Sequence, residues 1–172
     1  MKGRERMELE IERKYMLNAN MAELQESGTL KVVREQRIEQ TYLAIDEDQE
    51  LRVRRLTDVA SGEVEYTHTF KRGNGLIREE VEYSISAEIY EQLIRSCGAV
   101  PLTKNRMTAE FNGRKVEIDV YDQLQLTVLE VEFRSEQEAA AFRAPDWFGQ
   151  DISTERQYSN KQVWSKLQEG RV

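Results

Sequence analysis

The segment "ELEIERKYML" sets Glu8, Glu10, Glu12 and Lys14 at every second position, with Leu9, Ile11 and Arg13 between them. In an extended strand successive side chains point to opposite faces, so the four charged residues share one side. The same division recurs along the chain. "LRVRR" sets Arg52 and Arg54 against Leu51 and Val53, "THTFKR" sets Thr69 and Lys71 against Phe70, and "LIREEVEYSI" sets Arg78, Glu80 and Glu82 against Ile77 and Val81. Farther on, "LTKNRM" pairs Lys104 with Arg106, "VEIDVY" pairs Glu117 with Asp119, and "LEVEF" pairs Glu130 with Glu132. Each strand has an apolar face that helices can cover and a charged face of mixed sign. Period two predicts strands, and "DED", "ASG" and "RGNG" separate "QTYLAI", "QELRVRRL", "EVEYTHTFKR" and "LIREEVEYSI" into an antiparallel meander.

Helices are expected where capping residues precede a non-alternating run. Ser86 is placed to cap "AEIYEQLIRSC", with Gly98 as its stop. Ser135 and Glu138 have capping-box spacing at the start of "SEQEAAAFRA", a helix that should stop before Pro145. A short helix is expected in "MAELQES" after Asn20, and a last one in "STERQYSNKQVWSKLQEG". Asn112 and Gly113 signal a hairpin leading into "RKVEIDVYD", followed by the strand "LTVLEVEF". No repeat, low-complexity linker or domain break interrupts the pattern, so residues 1–172 read as one domain. If Met7 is the initiator, residues 1–6 are a basic extension.

The chain carries a net charge of -7 with a pI near 5.0, which argues against general binding of nucleic-acid polymers. Its single cysteine, Cys97, excludes an internal disulfide and suits a reducing compartment. No apolar run approaches the roughly 20 residues of a membrane helix, and "MKGRER" lacks the apolar stretch of a secretory signal. A cytoplasmic protein without a membrane partner, monomeric or homodimeric, is expected.

For any one strand, a charged face turned to water is the plain explanation. Its recurrence with doubled carboxylates argues otherwise, since like charges on neighbouring positions are unfavourable. A sheet of about eight strands closed with this face inward would enclose a lumen for side chains or one small ligand. Unpaired ions in a dry lumen each cost several kcal/mol, so the lumen is expected to be wet and to take up ions. Carboxylate pairs are hard oxygen ligands for Mg2+ or Mn2+, and Lys and Arg suit phosphate oxygens. Glu10 to Lys14 spans about 13 Å at roughly 3.3 Å per residue, enough to hold a metal and reach along a short phosphate chain. The chain has no Walker-type loop, no GxSxG and no Cys/His dyad. His68 has the parity of Phe70 and is expected off the charged face; Cys97 is expected in a core.

In order, "EIERK", "RVR", "TFK", "REEVE", "KNR", "EIDVY", "LEVEF" and "DISTERQYSN" resemble the motif series of the CYTH superfamily, the triphosphate tunnel metalloenzymes, from Met7 to about Leu167. "EIERK" matches the family's ExExK signature. The resemblance implies an α+β fold, an eight-stranded antiparallel β-tunnel with helices outside, and Mg2+- or Mn2+-dependent hydrolysis of a triphosphate. By motif, Glu10, Glu12, Asp119, Glu130 and Glu132 would be metal-side carboxylates. Lys14, Arg52, Arg54, Lys71, Arg78, Lys104 and Arg106 would bind phosphate oxygens. Glu80 and Glu82, with Lys71, would serve catalysis, one carboxylate helping to place the attacking water. Some members send a lysine into the tunnel from the C-terminal segment; "YSNKQ" leaves that role between Asn160 and Lys161. Short bacterial members of this kind are mostly inorganic tripolyphosphatases, which makes tripolyphosphate the leading substrate. Class IV adenylyl cyclase, thiamine or nucleoside triphosphatase, and a non-catalytic polyphosphate- or nucleotide-binding module are the alternatives. No adenine-binding signature supports the cyclase, and retained carboxylates weigh against pure anion binding. For a thiamine head group Trp147, Trp164 or Tyr121 would have to stack; both tryptophans read instead as helix anchors on the outer core.

Overall fold

In the computed structural model, residues 8–170 are described. The basic extension at residues 1–6 and the start at Met7 lie outside them. Alternating segments become strands: β1 (Glu8–Leu17), β2 (Lys31–Ile45), β3 (Gln49–Asp58), β4 (Val64–Arg72), β5 (Ile77–Ser84), β6 (Leu102–Phe111), β7 (Arg114–Tyr121), β8 (Leu126–Glu132) and β9 (Phe148–Asp151). The sheet runs β5-β4-β3-β2-β6-β7-β8-β1-β9, and β5 also pairs with β1, closing eight antiparallel strands into a barrel. The edge of β1 facing β5 is shared. Residues 8–11 pair with β5, whereas Tyr15 and Leu17 pair with β9. Gly149 permits that second pairing, because a Cβ there would meet the Met16 carbonyl oxygen at 2.5 Å.

Among the described residues four α-helices lie against the barrel: α1 (Met21–Glu26), α2 (Ala87–Cys97), α3 (Glu136–Ala141) and α4 (Asn160–Glu169). The caps expected from sequence form. Asn20, Ser86 and Ser135 accept backbone N–H bonds at the starts of α1, α2 and α3, and Gly98 ends α2 in the left-handed region at φ 61°. Glu138 reaches back to the Arg134 N–H, so the box closes one residue earlier than the usual form. Helix α3 stops at Ala141, short of the expected end. Phe142 turns extended and packs edge-on against Phe133 in the core. The β6–β7 turn takes positive φ at Asn112 and Gly113, the hairpin geometry that this pair favours. Two features were not legible: β2 begins nine residues ahead of "QTYLAI", and β9 has no alternating signal. Register shifts at Val32/Arg34 and Tyr42/Ala44 interrupt the parity of β2.

The outer faces of β1, β7 and β8 form one core, with Ile11, Tyr15, Val116, Ile118, Leu129 and Val131 buried beneath Phe133, Phe142 and Phe148. Trp147 joins it from the segment ahead of β9 and not from a helix, edge-on to Phe111. A second core lies elsewhere. Leu102, Tyr121 and Val128 share parity with the charged residues of their strands, and they pack with Ile152 and with Val163, Trp164 and Leu167 near and on α4. Trp164 meets Tyr42, its ring tilted by 60° with centroids 5.5 Å apart, and the cross-strand partner of Tyr42 is Arg52. It therefore anchors α4 over the inward-facing residues, a correction to its expected place on the outer core. Along each inward row the charges give way to apolar groups toward this end: Arg106, Lys104, Leu102; Glu117, Asp119, Tyr121; Glu130, Val128. The barrel is ionic for part of its length and apolar where α4 covers it. No helix among the described residues is long and apolar enough to cross a membrane.

Candidate active site

One cavity of about 910 Å3 opens along the inward face. Glu10, Glu12 and Lys14 reach it from β1, Arg52 and Arg54 from β3, Lys71 from β4, Arg78, Glu80 and Glu82 from β5, Arg106 from β6, and Glu130 and Glu132 from β8. Twelve of the fourteen residues singled out in the sequence thus share one cavity. The other two, Lys104 and Asp119, do not line it. They lie behind its wall, fully buried, joined by an ion pair of 2.5 Å.

Register explains the convergence. Lys14 stands opposite Glu130, Glu12 opposite Glu132, Lys71 opposite Glu80, and Arg106 opposite Asp119. Cross-strand neighbours lie within side-chain reach, so opposite charges meet at three of these positions and two carboxylates, Glu12 and Glu132, face each other at the fourth. Lys71 pairs with both Glu10 and Glu80 at 2.5 Å, Arg54 with Glu82 at 2.5 Å, Lys14 with Glu130 at 2.8 Å, and Arg78 with Glu50 at 3.0 Å.

Two groups stand outside this pairing. Arg52 is 5% exposed and takes part in no ion pair among the described residues; its Nε has no hydrogen-bond partner. The Tyr42 hydroxyl hydrogen-bonds with it, and the charges of Glu80, Glu50 and Glu82 act on it without forming an ion pair. Glu12 likewise has no ion-pair partner among the described residues, and burial together with the neighbouring Glu130 charge pushes its carboxyl pKa up. Burial raises Glu10 to about 7, helped by a hydrogen bond to Glu80 and opposed by Lys71. Burial acts on Glu80 in the same sense, yet Lys71, the hydrogen bond with Glu10 and Arg52 hold it at about 2. Protonated Glu10 therefore donates to ionised Glu80. Crowded carboxylates that hold protons in place of cations have the oxygen chemistry of a Mg2+ or Mn2+ site, although no three of them cluster closely enough to bind an ion as they stand among the described residues.

Several wall residues were missed. Glu50 shares the parity of Arg52, and Lys115 that of Glu117, so alternation could have found both. Ser153 through Arg156 line the cavity from the segment between β9 and α4, whose only regular structure is a 3-10 turn beginning at Arg156. The Tyr121 hydroxyl donates to Asn160 Oδ1, and Lys161 donates to the carbonyls of Asp46 and Glu47 at 3.3 and 3.1 Å. Asn160 and Lys161 both line the cavity, Lys161 spending its ammonium on the β2–β3 turn. His68 lies off the cavity against Tyr83, as its parity predicts. Cys97 ends α2 and is exposed, which corrects its expected place in a core.

The CYTH domain family model matches residues 8–169. The chain is 33% identical to the inorganic triphosphatase of Nitrosomonas europaea over 156 residues, covering 88% of this chain and 94% of that protein. It is 29% identical to the inorganic triphosphatase of Acetivibrio thermocellus, covering 90% and 92%. A crystal structure of an inorganic triphosphatase superimposes with a TM-score of 0.60 at 29% identity, over 90% of this chain and 93% of that one.

Proposed function

The chain belongs to the CYTH domain family, and from that premise we propose that its cavity hydrolyses a triphosphate, inorganic tripolyphosphate foremost, with a divalent cation. Arg52 carries this reading. A buried guanidinium on the cavity wall, with an unspent N–H and, among the described residues, no ion-paired carboxylate, is a cation placed for an anion from outside the protein. Its relatives' names point the same way.

Glu10, Glu12, Glu130 and Glu132 would hold Mg2+ or Mn2+, which when bound neutralises substrate charge and lowers the pKa of water. Arg52, Arg54, Lys71 and Lys14 grip the phosphate oxygens, and Arg78 braces the wall through Glu50. The oxygen of a water attacks the terminal phosphorus as the bridging P–O bond breaks. The released proton passes to a carboxylate of the Glu80 and Glu82 row, and the cations stabilise charge gathering on the departing pyrophosphate.

Phosphate release from tripolyphosphate, ATP, thiamine triphosphate and pyrophosphate, with Mg2+ or Mn2+ and with cyclic AMP assayed in parallel, tests the proposal. Tripolyphosphate should be cleaved fastest, and EDTA should stop the reaction reversibly. Turnover that persists in EDTA, or a preference for cyclising ATP, would overturn it.

A further inference from the structure

Asp119 is 0% exposed, and both its oxygens are taken. Arg106 donates to it twice, from Nε to Oδ1 and from Nη2 to Oδ2, each at 2.7 Å, and Lys104 Nζ adds a bond of 2.5 Å to Oδ2. This fork-on-fork contact leaves the guanidinium one orientation. Held so, Arg106 donates from Nη1 to Glu117 and from Nη2 to Glu130 at 3.4 Å. Glu117 and Glu130 are register partners on β7 and β8, like charges side by side on the cavity wall. Without a cation between them they would repel. Lys115 and Lys14 hold their far sides, each at 2.8 Å.

We infer that Asp119 is a positioning residue: it locks Arg106 as a brace between Glu117 and Glu130, and so sets the spacing of wall carboxylates without itself touching cation or substrate. The inference rests on the proposed reading of the cavity as a site for a divalent cation and a triphosphate. It reassigns both Asp119, from metal-side ligand, and Arg106, whose bonds are spent on carboxylates and not held for phosphate. Outer groups that orient ligands in this way are typically worth about 10- to 100-fold in metal affinity or activity.

The test is a cycle of Asp119→Asn, Arg106→Lys and the double variant, read by calorimetric Mn2+ binding without substrate, by thermal melting and by kcat/KM for tripolyphosphate. Asp119→Asn should weaken Mn2+ binding about tenfold. In the Arg106→Lys background it should change the affinity by no more than about threefold, because the two residues act as one unit. Asp119→Asn combined with Lys104→Met removes the buried ion pair whole and should reproduce the single variant if that one folds poorly. Multiplying losses in the Arg106→Lys background would make Asp119 a direct ligand and overturn the inference. So would a lowered melting temperature with unchanged Mn2+ affinity. A wild-type protein that binds Mn2+ but leaves tripolyphosphate intact defeats the proposed function alone, since the binding cycle does not depend on turnover.

Discussion

Arg54 on β3 and Arg106 on β6 point into the same barrel from strands separated only by β2, yet their surroundings differ. Arg54 has Gln40 and Thr67 as its cross-strand partners, and Arg52 has Tyr42 and Thr69, so hydroxyls and an amide flank both. Arg106 has Asp119 beside it. On the β3 wall the Nε of each arginine remains without a partner; on the β6 wall Nε, Nη1 and Nη2 all donate to carboxylates. The same residue type on the same face is thus an available cation at Arg52 and a structural brace at Arg106, with Arg54 between these extremes, paired to Glu82. What separates them is the chemistry of the neighbouring strand.

That contrast can be tested from its largest consequence downward. Glu12→Gln removes a carboxylate with no ion-pair partner among the described residues, so metal-dependent turnover should fall by roughly 10³ while the melting temperature holds or rises. A loss of stability would show that Glu12 has a structural partner after all. Arg52→Ala should lower kcat/KM for tripolyphosphate by about 10²-fold through contacts that strengthen as charge builds on the leaving oxygen, with little change in urea stability. Arg106→Ala should do the reverse in emphasis. It takes the guanidinium from Asp119 and Glu117, each left with one lysine, and should cost about 1–3 kcal/mol in urea unfolding. If Arg52→Ala destabilises as much as Arg106→Ala, the division between the walls is wrong.

A smaller effect lies in pH. Folded Glu10 keeps its proton up to about 7 because burial disfavours its charge, against 4.5 for an unperturbed glutamate. Between those values the folded state holds more protons than the unfolded one, so metal-free stability should fall as pH rises through that window. Glu80, held at about 2, acts in the opposite sense below 4.5, where stability is lost as pH falls. Melting curves in EDTA across this range should show the first slope flattened in Glu10→Gln. Least of all, Tyr121→Phe removes the bond to Asn160 and should cost about 1 kcal/mol, read by chemical denaturation.

The barrel was legible because alternation survives translation: a strand's parity depends only on its own residues. Glu10, Arg52, Lys71, Glu82 and Glu130 could each be assigned to the charged face from a few neighbours. Strand β2 escaped because its bulges break that parity, and β9 because four residues around a glycine carry no period. Trp164 was placed on the wrong core for a related reason. Amphipathicity says that a helix has an apolar side without saying whether a sheet's outer face or a barrel's end receives it.

Taken alone, the amino-acid order determined which residues share a face, that the face is ionic, and that its chemistry suits phosphate and divalent cations, because these follow from local geometry and from side-chain type. Only the tertiary structure decided that Asp119 and Lys104 sit behind the wall, that Arg106 is spent while Arg52 is not, and that α4 covers the apolar end. Those facts depend on register between distant strands, and register is set by the whole closed sheet, not by any segment of it.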